Sequence, residues 1–426
     1  MDLTVKTLLN YCFPIKDFVY KSVRLVKDET GKVTEIQVVL EPHAQRGCKC
    51  GQCGQDAPGY DRAKDHRRFD FPPIFGIRVV LLYRVRRVEC DEHGVVTEMM
   101  PWACGKRQMS LAYMQFLSAW AKRMSWKAVA DAFGTSWNSV RASVGWAVEW
   151  GLAHRDLSGI TAIGVDELHW SKKKGSNGFV TLIYQIDKGT RRLLWVGLGR
   201  NATVLARGFK TLGPEALASV RVVCSDMCRA FAKAIRECLP GVIHVLDHFH
   251  ITQLLQKALD ETRRAEVIKL RRQGKKPILT KSRFIFLRKK VNVRGKKRVR
   301  LNDLLRQNLT TVRAYLLKEE FARFWYYKHP TWAGYFFDHW VTLAMRSKIE
   351  PMKKAARTLK EHRHLIFNRF KANLEISNAA VEGLNNKCRV VTRRSYGYRD
   401  FDTLELSLYH TLGNLPEPDF FTHRFW

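Results

Sequence analysis

A chain of 426 residues with 74 Lys and Arg against 40 Asp and Glu carries a formal charge of +34, a field that favours polyanions and makes nucleic acid the first partner to consider. An apolar share of 46% with 11% aromatics excludes a disordered basic tail and leaves room for hydrophobic cores in two or three domains. No stretch approaches the ~20 apolar residues of a bilayer span and the N-terminus lacks a signal-peptide pattern, so a cytoplasmic protein is expected, in a bacterium close to the nucleoid, with its cysteines reduced.

Residues 1–105 carry strand-like alternation at Val33 to Leu40 and at Ile77 to Val85, with a Cys/Gly loop between them, and read as a small β-rich module. In that loop, Cys50-Gly51-Gln52-Cys53 has the two-residue gap that lets two thiolates of one turn bind a single tetrahedral ion. Cys90-Asp91-Glu92-His93 repeats the gap after the second strand run. Cys50, Cys53, Cys90 and His93 then form a structural Cys3His zinc site that folds the module, with Cys48 able to replace Cys50 if the knuckle is shifted. Reduced, unliganded thiols in a small β domain are the plainer alternative.

Residues 106–157 change to helical spacing. Between Trp126 and Val148, Val129, Ala130 and Phe133 make an apolar face, Gly134 sits where a turn needs positive φ, and Thr135 or Ser136 can cap a second helix. This resembles a helix-turn-helix, with Trp137, Asn138 and Arg141 near the groove-facing start of the second helix; an ordinary helical hairpin has the same spacing.

Three strand-like runs follow, Ile163 to Leu168, Phe179 to Asp187 and Leu193 to Leu198, and then Val222 to Asp226 and Val242 to Asp247, each with a helix after it. That order fits an α/β layer architecture. Residues 255–345 read as mostly helical, and within them Lys257 to Arg300 holds 18 Lys or Arg, too basic for a core segment.

Against the positive background, three acids stand out: Asp166 in Gly164-Val165-Asp166-Glu167, Asp226 in Ser225-Asp226-Met227, and Glu382 in the run Ser377 to Lys387. Phosphodiester chemistry on two hard cations about 4 Å apart needs carboxylates converging from different segments. Asp166 would project from the first strand, Asp226 from the end of the fourth, and Glu382 from a late helix capped by Ser377 or Asn378, with Lys387 placed to touch a phosphate. A capping or turn role is the plainer reading of any one of them, so the case rests on the constellation. Glu167, Asp187 and Asp247 compete; His248 and His250 are read as structural or phosphate-contacting, and with Asp247 as able to support the metal site from behind its ligands.

These motifs, with Leu246-Asp247-His248-Phe249-His250, Ala314 to Glu319 and Arg393 to Arg399, resemble bacterial insertion-sequence transposases of the ISL3 family, from the knuckle near Cys50 to about Tyr409. The resemblance implies an RNase H-like catalytic core with a DDE triad of Asp166, Asp226 and Glu382 on two magnesium (or manganese) ions. It also implies a zinc finger and helix-turn-helix that bind double-stranded DNA at the element's terminal inverted repeats. The core would occupy 158–254 and 346–426, with 255–345 a basic helical insertion holding flanking or target DNA. Lys387, Arg393 and Arg394 are read as further DNA contacts, and a homodimer or larger synaptic assembly is expected. Two departures stand: Gly51 where the family's knuckle usually has proline, and His93 where a second cysteine is common. A repressor or architectural protein on the same fold, and an RNA-processing nuclease, are the rival readings.

Overall fold

The protein, seen in a computed structural model, is described over residues 4–44, 46–171, 178–275, 278–288, 290–372, 379–395 and 397–418. It divides into two compact units, Met1–Asp156 with Val391–Trp426, and Leu157–Val390.

The first unit opens with α1 (Val5–Cys12), whose first turn is capped by the Thr4 hydroxyl. Strands β1 (Phe18–Lys27), β2 (Val33–Pro42), β3 (Gly59–Arg62), β4 (Arg67–Ile74), β5 (Ile77–Tyr83), β6 (Arg86–Cys90) and β7 (Gly94–Thr97) follow. They form a four-stranded sheet in the order β1-β2-β5-β4 and a three-stranded sheet β3-β6-β7. The second strand run read from sequence breaks after Tyr83 and resumes at Arg86, as the chain passes from one sheet to the other. Alternation along the larger sheet puts Tyr20, Val38, Phe69, Val79 and Leu81 on one buried face, around an aromatic cluster in which Trp102 meets Phe18 and Tyr83 edge-on at 4.6 and 5.3 Å. Glu98, 2% exposed, takes a two-pronged ion pair from Arg86 (2.7 Å at its shorter arm) and a hydrogen bond from the Tyr83 hydroxyl, so its buried charge is fully matched.

Helices α2 (Leu111–Ala121), α3 (Trp126–Ala132) and α4 (Trp137–His154) each start on a serine, Ser110, Ser125 and Ser136, whose side chain accepts the amide three residues on. Gly134 turns the chain between α3 and α4 at φ 60°. The C-terminal helix Phe401–Leu412 lies along α4, and the following segment closes over Gly151. The last 36 residues therefore group with the N-terminal unit, and the boundary falls inside the 346–426 stretch that sequence reading kept whole. The physical reason is apolar burial on α4, where Val140, Val144 and Val148 point inward.

In the second unit, β8 (Ala162–His169), β9 (Phe179–Gln185) and β10 (Arg192–Leu198) make an antiparallel meander. After α5 (Ala202–Leu212) and α6 (Pro214–Leu217), β11 (Val222–Ser225) joins β8 in parallel; after α7 (Arg229–Cys238), β12 (Ile243–Leu246) joins β11 in parallel. The sheet order is β10-β9-β8-β11-β12. Ile163, Val165, Ile183, Leu194, Phe209 and Phe231 form its core.

The rest is helical: α8 (His248–Arg272), α9 (Arg283–Leu287), α10 (Lys296–Leu305), α11 (Thr310–Phe321), α12 (Pro330–Arg346), α13 (Glu350–Glu361), α14 (Arg363–Lys371) and α15 (Ala379–Arg394). The segment judged too basic for a core does contribute to one. Ala258 and Leu259 of α8, with Leu279, Ile285, Phe286 and Val293, are buried in one cluster with Tyr315, Phe337 and Trp340. Its apolar residues recur at helical spacing between the charges, so the basic side chains face out while the stripe beneath them is covered. No described helix is long and apolar enough to cross a membrane.

Candidate functional site

The knuckle places four donors together. Cys50 and Cys53 come from the loop before β3, Cys90 from the end of β6 and His93 from the turn into β7, and their ligand atoms lie within 4.8 Å of one another. Cys53 Sγ is 3.7 Å from Cys90 Sγ, and His93 Nδ1 is 3.6 Å from Cys90 Sγ and 4.0 Å from Cys50 Sγ. Tetrahedral bonds of about 2.3 Å to sulfur and 2.0 Å to nitrogen put ligand atoms roughly 3.5–3.8 Å apart, so the donor set fits zinc. Backbone amides of Cys53 and Gln52 pull the Cys50 thiol down to about 7, toward the thiolate that binds metal. Cys48 stands outside the group, its sulfur beside Gly59 instead. Gly51 is required: its N–H donates to the Thr97 carbonyl at 3.1 Å and a Cβ there would collide with that same oxygen. A proline would lose that bond, which accounts for the departure at this position.

The acids meet by strand register. Gly164 pairs with Cys224 across β8 and β11, and Ser225 pairs with Leu246 across β11 and β12. Two residues beyond the first pair and one beyond the second, Asp166, Asp226 and Asp247 therefore stand level across three adjacent parallel strands, Asp226 and Asp247 just past the ends of β11 and β12 and Asp166 within β8, which runs on to His169. Asp166 is 6% and Asp247 4% exposed. Burial pushes Asp166 up to about 6, the charges of Asp226 and Asp247 push the same way, and His250 with the Glu167 amide pulls back. Burial also raises Asp226 and Glu167. Crowded, desolvated carboxylates of this kind are a donor set suited to hard divalent cations.

Neighbouring groups hold these acids in place. His250 Nε2 lies 3.8 Å from Asp166 Oδ1 and 3.9 Å from Asp247 Oδ2. The Asp226 carboxylate accepts the Cys228 amide at 2.9 Å, and Asp247 accepts the Phe249 amide at 2.8 Å as the N-cap of α8. Asn385 on α15 donates its amide to Asp166, and Tyr184 on β9 donates to the Asn385 carbonyl at 3.0 Å while lying 3.1 Å from Cys388 Sγ. Neither Asn385 nor Tyr184 is among the site residues expected from the sequence. Asn385 lies within the quoted run Ser377 to Lys387, but Tyr184 carried no signal beyond its place in an apolar strand. The side chain of Glu382 lies outside the described residues, as do Ser377 and Asn378; its backbone is in α15, one turn before Asn385.

Other residues singled out in the sequence have partners of their own. Asp187 accepts from Thr161 and from Gln185 (2.8 Å) at the opposite end of β8, away from the level acids. His248 packs on Trp325 at 3.9 Å. Arg141 is half-buried and donates to Thr403 at 3.3 Å, and Arg394 donates to the Lys122 carbonyl at 2.8 Å, closing the end of α2. Both side chains are committed to packing within their unit. Trp137, Asn138, Lys387 and Arg393 are exposed.

A family model of ISL3-type DDE enzymes, described as transposase, matches residues 163–408. A second, described as the zinc-finger of transposase IS204/IS1001/IS1096/IS1165, matches residues 46–93. The chain is 30% identical over 368 residues to the transposase for insertion sequence element IS1001 of Bordetella parapertussis, covering 86% of this chain and 88% of that one. It is 25% identical over 409 residues to the transposase for insertion sequence element IS1557 of Mycobacterium tuberculosis, covering 90% of each. Among solved structures, a chain of the Drosophila P element transposase strand transfer complex is similar at TM-score 0.43 and 10% identity, over 73% of this chain and 93% of that one, too distant to bear on the site.

Proposed function

The chain belongs to the ISL3 family of insertion-sequence DDE transposases, and from that membership and the level placement of its acids we propose that Asp166, Asp226 and Glu382 are the catalytic triad of an RNase H-like core. The observation that carries this reading is the parallel register that brings Asp166 of β8 level with Asp226 at the end of β11. Glu382 stands three residues before Asn385 in α15, and positions three apart share a helix face, so the helix that touches Asp166 would also bring the third acid.

Asp166, Asp226 and Glu382 would hold two magnesium or manganese ions, which when bound neutralise developing charge and lower the pKa of water. The residues around them do the positioning. Asn385 orients one oxygen of Asp166, the Cys228 amide orients Asp226, and the His250 ring lies between Asp166 and Asp247. The reaction proposed is hydrolysis at the element end followed by in-line attack of the freed 3′-OH on target DNA. The zinc ribbon would bind one structural zinc, and with α3 and α4 as a helix-turn-helix it would engage terminal inverted repeats through Trp137 and Asn138, while Lys387 and Arg393 contact phosphates. The basic helical insertion would hold flanking or target DNA, and two element ends call for a dimer or larger assembly acting on DNA in the bacterial cytoplasm.

The test is cleavage of a supercoiled plasmid carrying the gene with its native flanks, in magnesium, by wild type, Asp226→Asn and Glu382→Gln. Nicks at the flanks by wild type alone, with flank binding retained in both variants, support the triad. Binding without cutting by any of the three proteins would favour a repressor on the same fold.

A further inference from the structure

Resting on the transposase reading, we infer that the cleft running from Asp226 along α8 is a track for a short unpaired DNA strand, gripped by Arg200, Lys257, Arg264 and Arg283. The cleft holds about 810 Å³ and has Asp226 and Glu167 at one end. Its long wall is one stripe of α8. His250, Gln253, Lys257, Asp260 and Arg264 all line it and recur every three or four residues, so they fall on one helix face. His250 is 3.8 Å from Asp166, and Arg264 lies about 21 Å further along the helix at ~1.5 Å rise per residue. That is the reach of a few nucleotides leading away from the reacting phosphate.

The charge on this wall is in excess of its acids. Asp260 is shared by three guanidiniums, Arg263 at 2.7 Å, Arg264 at 3.4 Å and Arg283 at 3.5 Å, so one carboxylate orients three cations and leaves the group positive. The Arg264 and Arg283 side chains are 61% and 55% exposed, open to a phosphate, whereas Arg263 at 13% is the anchor. Lys257 is exposed one turn nearer the acids. At the near end Arg200 lies 3.5 Å from Glu167 and stacks 4.0 Å over the Phe179 ring, which fixes its guanidinium at the mouth.

Apolar side chains complete the cleft: Met227, Leu254 and Leu287 line it together with the cations. Cations beside aliphatic surface can cover the phosphates and the base faces of one strand together, and the exposed Gln253 amide can meet a base edge.

The experiment is fluorescence anisotropy of the full-length, zinc-loaded protein with no added magnesium or manganese and no chelator, so that no cutting occurs, with a labelled short oligothymidylate and, separately, a labelled hairpin duplex of matched length. The triple variant Lys257→Gln, Arg264→Gln, Arg283→Gln is expected to weaken oligothymidylate binding by at least about tenfold and to lower its log–log salt slope by about 2, with duplex binding changed by less than about twofold. Lys257→Arg alone should bind as wild type. Matching thermal melts establish that the variant is folded; should it melt early, the single variants Lys257→Gln and Arg283→Gln are each expected to lower the slope by about 0.7. Unchanged oligothymidylate binding, or an equal loss for both probes, overturns the inference. The triad reading is judged separately by plasmid cleavage with Asp226→Asn, so either can fail alone.

Discussion

Tyr184→Phe removes one hydroxyl from the network that ties α15 to Asp166. Tyr184 is fully buried on β9, and burial keeps its hydroxyl protonated and therefore a donor. It donates to the Asn385 carbonyl at 3.0 Å, and Asn385 donates in turn to Asp166. Phenylalanine keeps the ring packing but leaves the 9%-exposed Asn385 without that donor. Losing a net hydrogen bond and stranding a buried carbonyl costs about 2 kcal/mol, which for a unit of this size lowers the apparent Tm by roughly 4–8 °C. The assay is thermal unfolding of the full-length protein by circular dichroism, paired with the plasmid cleavage rate. Cleavage should fall by more than the loss of folded protein explains, because α15 also carries Glu382. In the double variant with Asn385→Leu the two effects should be less than additive by about 1 kcal/mol, since both act on one chain of bonds. A Tm within 1 °C of wild type, or strict additivity, refutes the argument that this network holds α15 to β8.

Zinc analysis of purified protein should find about one ion per chain, lost in Cys53→Ser and in His93→Ala but kept in Cys48→Ser, whose sulfur lies outside the donor group. His410 in the C-terminal helix is pushed down to about 3 by burial and then by the charges of Lys122 and Arg394. Its unfolded value is near 6.5, so the unfolded chain binds a proton that the fold refuses. The stability from this neutral ring is complete above about pH 6.5 and is lost as the pH falls, by at most about 1.4 kcal/mol per pH unit. Melts of His410→Leu across that range should show a flatter acid limb, and an unchanged limb contradicts the assignment. Gly151→Ala would set a methyl 2.7 Å from Leu415 Cβ and 3.0 Å from the Pro416 carbonyl oxygen. It is expected to cost about 1–3 kcal/mol and to speed proteolysis of the C-terminal segment; a neutral change in both readouts would mean that segment is not seated on α4.

Local features were legible because their causes lie within a few residues. The two-residue gaps of Cys50-x-x-Cys53 and Cys90-x-x-His93 belong to single turns, the serine caps and Gly134 punctuate α2 to α4, and alternation marks the strands. The zinc donors and the strand-end position of Asp226 could be read from such patterns. The charge total concealed the core of the basic helices, since counting Lys and Arg ignores which side of a helix they occupy. Pairing register and distant partners depended on which segments bury one another. Only the parallel pairing of β8, β11 and β12 levels Asp247 with Asp166 and Asp226. Only the packing of α15 against β8 and β9 gives Asn385 and Tyr184 their role, and only the docking of the C-terminal helix on α4 turns Arg141 inward to Thr403. A side chain's chemistry is set by its own residue, but what it faces is set by the shared burial of chain segments hundreds of positions apart.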